Sequence, residues 1–142
     1  MTRDPAPSDR GSLTIITMFL LIVALAGGGL IVDGGRALTA RRHATNTAEA
    51  AARFAVSDQS LSGQSLTGQF DEVRAITIAR SYAERSGIDT RDVTVAIRHG
   101  ITGRAEVVVT ITEHRPTVFL ALGGRSTMTV RSVGAATFVY SV

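Results

Sequence analysis

Between Leu13 and Val32 the chain reads LTIITMFLLIVALAGGGLIV, twenty positions with no charge, twelve of them Leu, Ile, Val or Phe. As a helix this run rises about 30 Å, the thickness of a bilayer's hydrocarbon core, and it shows no polar stripe of the kind that marks a helix of a soluble domain. It predicts one transmembrane helix over 13–32. The twelve residues before it, MTRDPAPSDRGS, a short polar and Pro-containing stretch, predict a disordered leader over 1–12. After Asp33 the pattern changes to small residues. Ala40, Ala44, Ala48, Ala51 and Ala55 recur at helical spacing, and Ala24 and Gly28 repeat that spacing inside the apolar run. A stripe of this kind lets another backbone approach closely, so these seven positions are expected to form a helix-packing face. Residues 33–56 are read as an Ala-rich stalk helix that continues the anchor unless the Gly27–Gly29 or Gly34–Gly35 runs break it, about 65 Å in all.

Beyond the stalk, residues 57–69 are rich in Ser, Gly and Gln with no apolar period and predict a linker. Asp71 is placed to cap a second helix reaching about Ser86, with Val73, Ile76, Ala79 and Ala83 on its inner face, Tyr82 at the edge of that face and Gly87 as the stop. Val93, Val95 and Ile97 then alternate with polar or small residues, as do Ala105, Val107, Val109 and Ile111 after the Gly100–Gly103 turn, which predicts a hairpin. The register that pairs Val93 with Ile111, Val95 with Val109 and Ile97 with Val107 also sets Arg98 against Glu106 and Thr94 against Thr110, so both faces match. Pro116 suits the first turn of a short helix carrying Val118, Phe119, Leu120 and Leu122 and ended by Gly123-Gly124. A last strand is expected from Thr127 to Tyr140, with Met128 and Val130 on one face and a bulge or bend near Gly134. The fold class is therefore α+β, with a long N-terminal transmembrane and stalk helix and a head over 70–142 of one helix on a three-stranded antiparallel sheet.

Composition narrows the chemistry. There is no cysteine, which removes disulfides, thiolate catalysis and Cys-containing metal sites. The net charge is +3, carried by fifteen arginines spread among twelve acids, with no basic aromatic patch for nucleic acid. His43 is read on the polar side of the stalk, and His99 at the hairpin turn and His114 at its far end are too far apart to share a metal. No serine lies in a nucleophile elbow and no glycine run continues into a phosphate loop. Asp33 is read as the charge that ends the apolar span. No catalytic, cofactor-binding or small-molecule site is expected, and the chain is read as non-enzymatic.

Orientation and processing are left open by the residues alone. Arg36, Arg41 and Arg42 follow the anchor, so arginine counting puts the C-terminal flank in the cytoplasm. Ala24-Leu25-Ala26 has the form of a signal-peptide cleavage site, and cleavage after Ala26 gives the alternative reading, a secreted binding domain.

Arg10-Gly11-Ser12 ahead of the apolar run, Gly29 to Arg36 at its end, then Ala40-Arg41-Arg42 and Asn46-x-Ala48-Glu49-Ala50-Ala51, together resemble the N-terminal region of TadE/TadG-like proteins of the tight-adherence (Flp) pilus machinery, in their TadG-like branch from high-GC Gram-positive bacteria. Asp33, Gly35, Arg36 and Asn46 are the family-motif positions. The resemblance implies a pilin-like arrangement in the cell membrane, the N-terminus in the cytoplasm, the head outside, and partners among pilin-like or Tad-machinery proteins. It also implies a prepilin-peptidase site between Gly11 and Ser12. Such precursors carry Glu at the fifth mature position, where this chain has Ile16, a departure that favours an uncut accessory subunit.

Overall fold

A computed structural model describes residues 10–61, 70–100 and 104–139. Most of the expected leader, residues 62–69 of the expected linker, residues 101–103 of the hairpin turn and Tyr140 lie outside the described residues. The first element, α1, is a single helix, Arg10–Leu61, of 52 residues and about 78 Å. It passes through both glycine runs without a break. A helical glycine costs about 1 kcal/mol, less than the several kcal/mol of an unpaired peptide group in hydrocarbon, so an apolar surrounding keeps such a helix whole. The helix also runs past residue 56 to Leu61, taking the first five positions of the expected linker.

The second helix, α2, is Glu72–Arg85, and three antiparallel strands follow as a meander: β1 (Val93–His99), β2 (Ala105–Pro116) and β3 (Thr127–Phe138). The expected fold class is the observed one. The β1–β2 register is the expected one at every pair, Val93 opposite Ile111 through Arg98 opposite Glu106.

The stalk does not hold the head at a distance. Ala44, Ala48, Ala51, Ala52 and Ala55 of α1 are fully buried in one core with Ala75, Ala79 and Ala83 of α2 and with Ile88, Val93, Val107, Val109 and Ile111. The second half of α1 is thus the central helix of the head, with the sheet and α2 folded back along it. Alanine on both helices keeps the gap between them narrow, and the sheet supplies the bulk.

Local differences from the sequence pattern have local causes. In α2 the inner positions are Ala75, Ala79 and Ala83, with Ile78 packed beside them, and Val73 is 76% exposed. Six residues before Ala79, Val73 lies about 120° round the helix and misses the seam. Asp71 caps α2 as expected, its side chain accepting from the Arg74 N–H at 2.9 Å, and Gly87 ends it at φ 85°. The short helix after Pro116 is a single 3₁₀ turn, Leu120–Gly123, closed by Gly124 at φ 86°, and Pro116 itself ends β2. No bulge occurs at Gly134; β3 pairs continuously with β2, Gly134 opposite Val109. That glycine serves a different purpose: a Cβ there would overlap the α1 backbone at Ala48 and Glu49.

The ends of α1 and α2 are tied by side chains. Gln59 is fully buried; its amide donates to the Asp71 carbonyl at 2.7 Å and accepts from the Asp71 N–H at 3.3 Å. Asp58 accepts from Arg74 Nε at 2.6 Å, which holds its carboxyl below the usual range. These bonds explain why α1 continues to Leu61.

Candidate interaction site where the apolar run meets the head

Asp33 lies one helical turn after Gly29, and both face the connection between β2 and β3. The Asp33 carboxylate, 2% exposed, accepts three backbone bonds from that connection: the Val118 N–H at 3.0 Å, the Phe119 N–H at 2.9 Å and the Leu120 N–H at 2.8 Å. These N–H groups open a 3₁₀ turn and have no partner within it, so the carboxylate caps that turn from a helix more than eighty residues away in sequence. The bond from Val118, followed by that from Leu120, holds the carboxyl below its ordinary value against the cost of burial, helped by Phe119 and the nearby Arg36. Phe119 occupies the space a side chain at residue 29 would take. Only glycine at 29 admits the ring.

Nearly three turns further along α1, at His43, Glu113 of β2 is 5% exposed and held from two sides. His43 Nδ1 is 2.6 Å from its Oε1, and Arg115 donates to its Oε2 from Nε at 2.9 Å. Between these contacts and the end of the apolar run lies an open groove of about 790 Å³, lined by Ile31, Val32, Arg36, His43, Arg115 and Pro116 among others. Its lining combines the apolar Ile31, Val32 and Pro116 with the guanidinium groups of Arg36 and Arg115. Ser132 of β3 accepts from the Thr45 hydroxyl at 3.1 Å, adding a polar tie between strand and helix.

The residues singled out by sequence fall into three groups. Ala40, Ala44, Ala48, Ala51 and Ala55 are buried by this chain's own head, so that part of the packing face is filled from within. Ala24 and Gly28 remain exposed, on a stretch, residues 13–28, where every side chain described is exposed and no part of the head lies. Among the motif positions Asp33 is buried and bonded, while Gly35, Arg36 and Asn46 are exposed. Gly11 and Ser12 lie in the first turn of α1.

Sequence reading took Asp33 for a boundary charge and His43 for a solvated one. A signal for Glu113 was present, since the alternation of β2 puts it on the inner face after Ile111. His99 and His114 are as far apart as expected: His99 Nε2 meets Glu72 at 2.8 Å, and His114 Nδ1 meets Thr129 at 3.1 Å. Among the described residues no group of three or more His, Asp or Glu is arranged to hold a metal ion.

Residues 11–58 match the family model for TadE/G-like Flp pilus-assembly proteins. The matched stretch lies within α1 and takes up nearly all of it, from the first turn to the residue that meets Arg74. No curated protein and no solved structure matches the chain.

Proposed function

From the Tad-type match and the membrane-capable helix, we propose that the protein is a single-pass membrane accessory or minor pilin-like subunit in the assembly of a Tad/Flp-type pilus or a related secretion apparatus. It works by helix packing and protein–protein contact and not by catalysis. The N-terminus lies in the cytoplasm and the head outside, and the chain keeps its leader, because Ile16 stands where a processed pilin-like precursor carries Glu.

The observation that carries this reading is the bare helix over 13–28. Its large apolar side chains, such as Phe19 and Leu20, are exposed all round. A core helix of a soluble domain buries at least one face, so this one needs lipid or other helices. Ala24 and Gly28, exposed on it at small-xxx-small spacing, form the surface against which a pilin-like partner helix packs. Arg36 and Asn46, exposed on the head's side of the junction, are available to the same partner.

A photo-crosslinking residue at Ala24, in cells assembling the apparatus, tests this role. The expected product is an adduct with a membrane protein of the Tad machinery, absent when the crosslinker stands at the exposed Thr137 of the head. Crosslinking at Ala24 only to lipid would contradict it.

A further inference from the structure

The connection between β2 and β3 reads Thr117-Val118-Phe119-Leu120-Ala121-Leu122-Gly123-Gly124, eight residues without a charge, with Arg115 before it and Arg125 after. Its position along α1 is fixed twice, by the Asp33 carboxylate and by Phe119 seated on Gly29. Gly29 is not above the apolar run but inside it, three residues or about 4.5 Å short of its end at Val32. A loop in contact with Gly29 shares the depth of Gly29.

The loop is built for such a depth. Leu122 is 87% exposed and Val118 is also exposed, so the apolar side chains that do not pack on α1 point away from the protein. Six of its eight backbone N–H groups nevertheless have partners within the protein, those of Thr117, Val118, Phe119, Leu120, Leu122 and Gly124. Asp33 takes the N–H groups of Val118, Phe119 and Leu120. The Leu122 N–H donates to Phe119 at 3.1 Å, the Gly124 N–H to Ala121 at 3.0 Å and the Arg125 N–H to Leu120 at 3.0 Å. At the root the Thr117 N–H donates to the Ser126 carbonyl at 3.1 Å. Hydrocarbon tolerates a non-helical backbone only when its polar groups are paired within the protein. Arg125, just past the apolar tip and exposed, has the reach to place its guanidinium group among lipid phosphates, while Arg115 on the other side stays paired with Glu113.

We propose that the 117–124 loop is a second membrane contact, a short wedge whose Leu122 enters the interfacial layer of the bilayer beside the exit of α1. Its occupant is the lipid surface itself. Together with α1 the wedge holds the head at two points, fixing its tilt and rotation at the membrane. The inference rests on helix 13–32 crossing that membrane, and on continuity of the loop with the helix surface that does so.

The chain has no cysteine, so single cysteines can be placed and spin-labelled without altering a native one. The full chain is reconstituted in vesicles of phosphatidylcholine and phosphatidylglycerol with a nitroxide at Leu21→Cys, Leu122→Cys or Thr137→Cys, all exposed positions. Collision with oxygen is then compared with collision with a water-soluble nickel chelate. Leu21 reports the span and Thr137, at the opposite end of the sheet, reports water. The expected result is a several-fold higher oxygen-to-nickel ratio at Leu122 than at Thr137, with Leu21 also high. A high ratio at Leu21 with Leu122 equal to Thr137 overturns the wedge and leaves the transmembrane helix standing. A low ratio at Leu21 overturns both.

Discussion

The backbone of Gly134 in β3 lies directly against that of Ala48 in α1, with no room for a side chain between strand and helix. This crossing sets the spacing between the long helix and the sheet, whose Val107, Val109 and Ile111 share one buried core with Ala44, Ala48 and Ala51. Gly134→Ala puts a methyl group against helix backbone, which cannot swing aside as a side chain can. The expected loss of stability is about 1–3 kcal/mol, the usual cost of overpacking. Ala135→Ser, on the exposed outer face of the same strand, is expected to stay within about 0.5 kcal/mol. Chemical denaturation of the two variants in detergent micelles, followed by circular dichroism, makes the comparison.

Asp33 ties the β2–β3 connection to α1 through three charge-assisted bonds, so its removal acts on that connection first. In Asp33→Ala the amides of Val118, Phe119 and Leu120 are expected to lose hydrogen-exchange protection while those of the β1–β2 ladder keep theirs. The pH dependence has a definite sign. The folded carboxyl titrates below 3.8, its ordinary value, so its contribution is fully present above about pH 3.8 and is lost as the pH falls through the lower folded value. Protection of those three amides, corrected for the intrinsic rate, should fall in that acid range in the wild type and be pH-independent in Asp33→Ala. Equal protection in the two proteins at neutral pH would contradict the cap.

The glycines of the apolar run are not equivalent. A side chain at Gly29 would overlap Phe119, whereas one at Gly28 meets open space. Gly29→Val is expected to displace the 117–124 loop and expose its amides, and Gly28→Val to leave head and loop unchanged. Hydrogen exchange on the two variants side by side gives the answer, and similar exchange in both would show that Phe119 does not need the Gly29 seat.

The stripe of small residues divides in the same way. Ala44→Leu and Ala48→Leu are expected to lower the unfolding midpoint of the head, because both positions are fully buried beneath it. Ala24→Leu, on the bare span, should leave that midpoint alone and weaken association with a partner helix. Thermal unfolding together with co-purification separates the two classes.

Much of the fold was legible in the sequence because its signals were local. The period-two alternation and the matching of charges and threonines across the hairpin settle the β1–β2 register, and Asp71 and Gly87 mark the ends of α2. What the sequence left unread was long-range. A regular alanine spacing says that something packs closely on α1 but not whether it is another chain or the head's own sheet, and the head fills the part from Ala40 to Ala55. Asp33 looks like a boundary charge until an apolar loop with uncapped N–H groups is brought against it from residue 118 onward. Gly134 reads as a strand defect and turns out to be a seat for the helix. In the candidate site the participants were visible, as the residues Gly29 to Arg36 and the apolar run after Pro116, but their meeting was not.

The most direct test of the account is the intact mass and cellular fraction of the protein expressed in its own host. The account predicts a membrane-bound chain that retains everything from Thr2 or Met1 onward, with its head digested by protease added outside the cell. A chain in the membrane starting at Ser12 would contradict the uncut state alone. A soluble product starting at Gly27 would contradict the central claim, since the head's contacts at Gly29 and Asp33 would survive cleavage after Ala26 while the membrane anchor would be gone.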